Sequence, residues 1–391
     1  MTVLRERASA FPCQPARSLL RGIESVDSPR SIVGSTASIL IFVLLGFWEA
    51  LPSSANAYER PQASAVSSDK SISQQVEPVA PGDTSLSKAW SLLREGKTTE
   101  AESDVRDYLA QHPRSADGHF LLGFALFKRI QADAVAMQGA AGQSGEPGAS
   151  ILKNREENAK ASLVEYTEGA KYRNPSAFDL KIVALDYVLL KDYPDADKWL
   201  TKSVLLNPAE SEGWYYLGRT KYKENRFEEA IQTFEQFLKL EPQSVKGEDN
   251  LGLAYQGLGR TADAIAAYKQ AIAWQAGKVD ANSDPFINLG AILLDQNEAH
   301  EAVSYLLQAV TISPHEFRAH EQLGKAYDRL DELSKAQAEL EKAVELAPQE
   351  ARLHYILGQV YRKRGLKDKS KAEFDRSSAL RNDSSAAGSD R

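Results

Sequence analysis

Leu-Gly dipeptides recur through the C-terminal half of the chain at an almost constant interval. They lie at Leu217-Gly218, Leu251-Gly252, Leu289-Gly290, Leu323-Gly324 and Leu357-Gly358, separated by 34, 38, 34 and 34 residues. Self-similarity at one period indicates an array of stacked units, in which each unit buries its apolar face against its neighbours. A chain with this feature is expected to fold as a solenoid rather than around one central core.

Two further residue types follow the same period. Alanine comes after each Leu-Gly pair at a fixed offset, with serine in the last copy: Ala230, Ala264, Ala302, Ala336 and Ser370. Prolines close most of the units, at Pro208, Pro242, Pro314 and Pro348. Apolar residues recur at helical spacing on both sides of a short polar turn, so each unit is predicted to contain two helices.

The unit at 211–244 shows why certain positions carry small residues. Its first helix is predicted to end at the turn Glu224-Asn225-Arg226, and its second helix follows that turn. Gly218 and Ala230 are expected where the two helices cross. Helices that pack at a short interaxial distance leave room there for little more than a hydrogen atom or a methyl group.

The pattern W-x2-L-G-x2-Y, then A-x3-F, then P, resembles the tetratricopeptide repeat. The residues that match it directly are Trp214, Leu217, Gly218, Ala230, Phe234 and Pro242. Lys221 stands where the family usually has tyrosine, with Tyr222 beside it, and Ala276 replaces the closing proline of the next unit. The resemblance implies an all-α, right-handed superhelical solenoid of antiparallel helix pairs.

On this frame the array covers 82–384 in about eight units. They are 82–115, 116–176, 177–210, 211–244, 245–278, 283–316, 317–350 and 351–384. The first has Lys88-Ala89 in place of Leu-Gly, and the second carries an insertion near 131–155. This insertion is predicted to be a loop between the two helices, either disordered or closing over a groove as a flap. The flanking segments 58–81 and 385–391 are predicted to be a flexible linker and a disordered tail.

Residues 1–57 are predicted to be a signal peptide. Arginines precede the uninterrupted apolar run Ile39–Trp48, and Ala55-Asn56-Ala57 supplies a small-x-small cleavage pattern. The apolar run is shorter than the roughly 20 residues that a membrane-spanning helix needs. We therefore expect cleavage after Ala57 and a periplasmic or secreted protein. The alternative is an N-terminal membrane anchor at 32–51.

Charge and cysteine content exclude two classes of partner or site. The formal net charge is −7 and the isoelectric point is near 5.6, so the chain lacks the broad basic field that binds phosphate backbones. We therefore predict no nucleic-acid partner. The single cysteine, Cys13, precedes the folded part, which consequently has no structural disulfide and no thiolate metal site.

Two near-motifs for chemistry fall on structural positions of the repeat. His315 and His320 would lie about 140° apart on a helix, whereas a metal-binding pair at i and i+4 shares one face. The segment Gly257–Ala262 formally fits a dinucleotide fingerprint, but a helix precedes it, and its glycines belong to an inter-helix turn that needs a left-handed backbone. We predict no enzymatic activity, cofactor or metal; a hydrolase with an unrecognised site is the alternative.

The resemblance also implies a groove lined by the first helices, at positions 2, 5, 9, 12 and 13 of each unit. The candidate partner-binding residues on these positions are Trp90, Phe120, Phe124, Phe127, Tyr215, Arg219, Tyr222, Lys325, Arg329, Tyr355 and Arg362. We expect an apolar N-terminal half and a charged C-terminal half. The apolar half is an exposed strip for a peptide or helix, a strip covered by another segment of the chain, or ordinary inter-helix core.

Some members of the family bind a partner's C-terminal carboxylate with Lys, Asn and Arg side chains. Here Lys181 is followed by Leu185 where asparagine would be needed, so a clamp of that kind is not expected. By analogy with the family, we predict a protein-interaction scaffold or adaptor, and the leader favours a role in assembly of a cell-envelope complex. The alternative is an adaptor that faces the cytoplasm and contacts the membrane only through its uncleaved N-terminal segment.

Overall fold

Each 34-residue period corresponds to one pair of antiparallel helices. The computed structural model describes residues 84–139 and 146–389, and within them eight helix pairs follow one another. The first four pairs are α1 (Ser87–Arg94) with α2 (Thr98–Gln111), α3 (Ala116–Gly139) with α4 (Glu146–Ala170), α5 (Ala177–Leu189) with α6 (Tyr193–Leu206), and α7 (Ser211–Lys223) with α8 (Phe227–Leu240). The last four are α9 (Val245–Gly257) with α10 (Thr261–Trp274), α11 (Asp284–Asp295) with α12 (Ala299–Ile312), α13 (Phe317–Arg329) with α14 (Leu333–Leu346), and α15 (Ala351–Lys363) with α16 (Lys367–Ser389). The all-α solenoid of helix pairs predicted from the spacing is thereby confirmed.

The described residues all lie within one compact unit, Val76–Arg391. The predictions of a signal peptide at 1–57, an anchor at 32–51 and a linker at 58–81 fall outside the described residues. In the part of the chain that the structure describes, no helix is both long and apolar enough to cross a bilayer.

The turn between the two helices of a unit requires a left-handed residue at one fixed position, the fifteenth of the unit. At this position, φ lies between 59° and 78° in seven units, at Gly96, Lys191, Asn225, Gly259, Asn297, Asp331 and Gly365. The backbone N–H of the following residue then donates back into the first helix, as from Arg226 to the carbonyl oxygen of Lys221 over 2.9 Å. This bond ends the first helix and starts the reversal of the chain.

The small residues predicted at the helix crossing are required by their neighbours. A Cβ atom on Gly218 would lie 2.6 Å from Cε1 of Phe234, which is fully buried. A Cβ atom on Gly252 would likewise lie 2.5 Å from the Tyr268 side chain, and one on Gly290 would lie 2.5 Å from the Leu306 side chain. The first helix therefore packs directly onto a large side chain of the second helix, and Ala230 is completely buried beside this contact.

A ring at the fourth position of the first helix joins several units to the preceding one. Trp214 Nε1 donates to the carbonyl oxygen of Pro208 over 2.9 Å. Histidines take this place in three other units: Nε2 of His119, His320 and His354 lies 2.9–3.0 Å from the carbonyl oxygens of Pro113, Pro314 and Pro348. The closing proline thus supplies a hydrogen-bond acceptor to the next unit in addition to ending a helix.

The described residues of the insertion near 131–155 are helical, whereas a loop was predicted. Residues 131–139 continue α3 and residues 146–155 open α4, so that these helices have 24 and 25 residues. Ala132, Ala134 and Ala136 lie in the part that continues α3, and alanine has the highest helix propensity. The described part of the insertion therefore lengthens both helices of the pair. The crossing is preserved, because Gly123 packs on Tyr166 and Ser162 takes the place of the usual alanine.

The last helix also extends beyond its predicted end. We expected a disordered tail at 385–391, but α16 continues to Ser389. Ala386 and Ala387 lie in this extension, and alanine has the highest helix propensity of the amino acids.

Candidate functional site

The first helices of successive units contact one another directly. These contacts join α3 to α5, α5 to α7, α7 to α9, α9 to α11 and α11 to α13. In a curved stack, helices two elements apart in sequence approach each other most closely on the inner side of the curve. We call the surface made by positions 2, 5, 9, 12 and 13 of the first helices the first-helix face.

The aromatic residues at the N-terminal end of the first-helix face are buried. Phe120, Phe124 and Phe127 retain only 4%, 9% and 8% of their accessible surface. Phe124 packs against the half-buried Trp90, with ring centroids 5.9 Å apart, and against Phe178 at 5.2 Å. Of the three alternatives for this apolar half, the burial of the phenylalanines supports ordinary inter-helix core and not an exposed strip.

The charged residues towards the C-terminal end form ion pairs between neighbouring units. The fully buried carboxylate of Glu321 lies 2.5 Å from Nζ of Lys325 and accepts a hydrogen bond from Arg352 over 2.6 Å. Lys363 pairs with Asp328 at 2.7 Å. The guanidinium of Arg329 donates to the carbonyl oxygen of Leu294 in the preceding unit. These charges stabilise the lateral packing of α11, α13 and α15 and are largely neutralised within the array.

Rings that keep part of their surface exposed remain at two places on the first-helix face. In α7, Tyr215 packs on Phe237 at a centroid distance of 5.3 Å, and Tyr222 packs on Phe227 at 5.5 Å. In α15, Tyr355 keeps 44% of its surface exposed and packs on Phe374.

One cation lies over Tyr215, and another lies over Phe374, the ring on which Tyr355 packs. The guanidinium of Arg219 lies 5.7 Å from the ring centroid of Tyr215, and that of Arg362 lies 5.8 Å from Phe374. Tyr215, Arg219, Tyr222, Tyr355 and Arg362 therefore offer both apolar and cationic surface on the first-helix face.

Sequence reasoning missed Lys246 at the second position of α9. Its Nζ atom lies 4.7 Å from the ring centroid of Tyr215, on the neighbouring unit. Asp249, one turn further along α9, was also missed; it is buried and accepts a hydrogen bond from Asn288 over 2.9 Å. Burial raises the pKa of Asp249 to about 7. Lys246 and Asp249 occupy the second and fifth positions of their unit. These are groove positions of the repeat, so the repeat frame could have identified both residues.

Lys181 does not offer a free cation for a carboxylate ligand. It is buried, and its Nζ atom lies 2.8 Å both from Glu210, the last residue of its own unit, and from Glu212 of the adjoining unit. Lys221, which departs from the family pattern, is likewise buried and pairs with Asp197 at 2.9 Å and Glu229 at 3.1 Å. Both lysines connect helices of different repeats.

The two near-motifs occupy structural positions. Both ring nitrogens of His320 are engaged, by Glu339 and by the carbonyl oxygen of Pro314. Gly259 has a φ of 73° and lies in the turn between α9 and α10, whereas Gly257 is helical and packs against Phe227. Within the described residues, no group of three or more His, Cys, Asp or Glu side chains is arranged to hold a metal ion.

Family models described as tetratricopeptide repeat match the chain at residues 86–145, 211–244, 249–277 and 293–360. No curated protein matches the chain in sequence.

Several solved structures are similar in fold. MamA of Desulfovibrio magneticus is 21% identical, with a TM-score of 0.39 over 44% of this chain and 96% of its own. The Cut9–Hcn1 hetero-tetramer of the APC/C is 16% identical, with a TM-score of 0.50 over 75% of this chain and 52% of the matched chain. PilW, described as a type IV pilus biogenesis factor, is 18% identical, with a TM-score of 0.46 over 50% of this chain and 90% of its own. At these identities the likeness concerns the fold alone. The repeat frame, the eight helix pairs and the four family matches identify the chain as a member of the tetratricopeptide repeat family.

Proposed function

We propose that this protein is an interaction scaffold that binds a peptide or helix of another protein along its first-helix face. Tetratricopeptide repeat proteins are interaction scaffolds as a class. The observation that carries the proposal for this chain is the half-exposed Tyr215 in α7, with the cations of Arg219 and Lys246 over its ring. Aromatic and arginine side chains are enriched at protein interfaces because they combine apolar contact area with hydrogen-bond donors.

The lateral ion pairs support this role by holding the binding face in one conformation. Glu321 joins α13 to α15, and Lys181 joins α5 to α7 of the adjoining unit through Glu212. A face that is ordered before binding avoids part of the conformational entropy that association otherwise costs. The scaffold is therefore pre-organised for its partner.

We further propose that the protein is exported and takes part in assembly of a cell-envelope complex. The support is the basic and apolar N-terminal segment with its cleavage pattern at Ala55-Asn56-Ala57. Edman sequencing of the protein purified from its host would test the export step. A chain that starts at Tyr58 supports cleavage, whereas an intact apolar segment at 32–51 supports the membrane-anchored alternative.

Site-specific photo-crosslinking of the full chain in its host tests the binding face. A photoreactive phenylalanine analogue would replace Tyr355 or Tyr222, which lie on first helices. The matched control replaces Leu205, which is 73% exposed on the second helix α6. We expect the same discrete protein adducts from both first-helix positions and none from Leu205. Equal adducts from all three positions would contradict a specific face.

A further inference from the structure

We infer that Tyr215, Arg219 and Lys246 form a binding site for an acidic peptide segment of the partner, one that presents Asp or Glu side chains beside apolar residues. This inference rests on the proposed function, because it names the chemistry of the segment that the first-helix face binds. We call these three residues the Tyr215 site.

The Tyr215 site is assembled from two units around one fixed ring. Tyr215 is held by contacts with Phe237 and with Tyr216, at centroid distances of 5.3 and 5.5 Å. Arg219 comes from the next turn of α7, and Lys246 comes from the first turn of α9. Their charged groups lie 5.7 and 4.7 Å from the centroid of the Tyr215 ring. Two exposed positive charges thus converge on a half-exposed aromatic surface.

Three lysines of the first-helix face, Lys181, Lys325 and Lys363, are each paired with a carboxylate. Within the described residues, neither Arg219 nor Lys246 has a carboxylate at ion-pair distance. Lys223 lies four residues after Arg219 on α7 and is also exposed. Like charges at i and i+4 destabilise a helix slightly, so this cluster lowers folding stability unless an anion binds to it.

Two acidic residues on the same helices, Glu212 and Asp249, are already engaged elsewhere. Glu212 is engaged by Lys181 at 2.8 Å. Asp249 is buried against Asn288, and desolvation holds its pKa well above the ordinary range, so its negative charge is only partly present near neutral pH. The Tyr215 site is consequently a local positive region in a chain whose net charge is −7.

The site favours a peptide over other polyanions. Arginine binds carboxylates in planar, bidentate geometry, and the tyrosine ring supplies contact area for an apolar side chain next to the acidic one. The overall negative charge of the chain repels nucleic acid, which carries one charge per phosphate, more strongly than a short peptide with a few carboxylates. A short segment that alternates acidic and apolar residues fits both features.

Fluorescence anisotropy on the full chain tests this inference. The probe is a labelled dodecapeptide of repeating Asp-Ala-Leu units, and its matched control has Asn in place of every Asp. We expect the acidic peptide to bind at least about tenfold more tightly than the control peptide, with an affinity that falls as salt rises. The double variant R219Q/K246Q should lose this difference. The variant K239Q should retain it, because Lys239 is exposed on the second helix of the same unit.

Three results would overturn the inference. One is equal binding of the acidic and neutral peptides, or binding of neither. Another is unchanged acidic-peptide binding by R219Q/K246Q, and the third is tighter binding of a single-stranded oligonucleotide at the same residues. Photo-crosslinking from Tyr222 and Tyr355 shows whether only the acidic-segment site is wrong or whether the proposed scaffold function is wrong as well. Adducts that persist in R219Q/K246Q would leave the scaffold role intact and remove only the acidic-segment site.

Discussion

His320 connects two helices and two units through both of its ring nitrogens. Its Nδ1 atom lies 2.7 Å from Oε2 of Glu339 on α14, and its Nε2 atom lies 3.0 Å from the carbonyl oxygen of Pro314. Both neighbours are hydrogen-bond acceptors, so the ring satisfies both of them only when it is doubly protonated. The hydrogen bond to Glu339 raises the pKa of His320, while partial burial and Lys342 act against this shift.

This geometry predicts that E339Q destabilises the protein in a pH-dependent manner. The folded-state pKa of His320 lies above its unfolded value of 6.5, so the stabilisation is fully present below that value. It is lost as pH rises through the folded-state pKa. We expect E339Q to lower the free energy of unfolding by about 1 kcal/mol at pH 5.5 and by much less at pH 8.5. Urea unfolding at the two pH values measures this difference.

The control for this prediction is E345Q, since Glu345 pairs with Lys342 on the surface of α14. It should show nearly the same small effect at both pH values. An E339Q defect of equal size at pH 5.5 and pH 8.5 would show that the charge on His320 does not contribute.

Removal of the charge of Asp249 should stabilise the folded protein at alkaline pH. Burial is the main cause of its raised pKa of about 7; Asp284 adds to the shift, and Asn288 and Arg318 oppose it. Because the folded-state pKa exceeds the unfolded value of 3.8, the stability present at low pH is lost as pH rises through about 7. D249N keeps the acceptor for Asn288. We therefore expect the difference in free energy of unfolding between D249N and wild type to rise by on the order of 2 kcal/mol from pH 5 to pH 8.

Thermal unfolding at a series of pH values measures this effect. The exposed Asp263, which pairs with Arg260 at 2.7 Å, provides the control variant D263N. Its melting temperature should follow that of the wild type across the series. A constant offset between D249N and wild type would mean that Asp249 does not titrate in the folded protein over this range.

G218A should destabilise the array even though alanine is the better helix former. The added methyl group would lie 2.6 Å from Cε1 of the fully buried Phe234. Overpacking of this kind costs about 1–3 kcal/mol, which exceeds the gain in helix propensity of about 1 kcal/mol. We expect a net loss of about 1 kcal/mol by urea unfolding.

A double-mutant cycle identifies the cause of that loss. In the F234A background the methyl group has space, so G218A should then be neutral or stabilising. The same cost in both backgrounds would show that contact with Phe234 is not responsible.

K191G should stabilise the protein. Lys191 has a φ of 61° at the turn position where Gly259 and Gly365 have 73° and 76°. A left-handed conformation costs a residue with a Cβ atom about 1–2 kcal/mol, and the entropy that glycine loses on folding offsets part of this gain. We expect an increase of about 0.5–1 kcal/mol in the free energy of unfolding.

N297G is the matched comparison, because Asn297 has a φ of 64° at the equivalent turn. Asparagine tolerates the left-handed region, so N297G should change stability less than K191G. The reverse order would contradict the assignment of strain to Lys191.

The repeat frame could be predicted because it depends on contacts within one unit. Gly218 and Ala230 lie 12 residues apart on the two helices of one unit, so their small size is visible as a period in the sequence. The turn glycines could be predicted for a similar reason, because a positive φ at a single position of the turn favours glycine there. The insertion near 131–155 was misjudged because its composition is compatible both with a loop and with longer helices.

The binding face was predicted less completely, because the exposure of a first-helix side chain depends on residues of the neighbouring units. Phe124 occupies a groove position of the repeat, yet Trp90 and Phe178 from the units on either side cover it. Lys325 occupies such a position too, and Glu321 neutralises it. No pattern within a single unit distinguishes these residues from Tyr215 and Arg219.

The sequence by itself determined the period, the helix pairs and the places where only small or left-handed residues fit, since these follow from contacts between residues close together in the chain. The tertiary structure alone decided which first-helix side chains are buried, which charges are paired, and that Lys246 of one unit lies over Tyr215 of another. The physical reason is that burial and ion pairing on this face are set between units, where side chains from different repeats compete for the same space and the same charges.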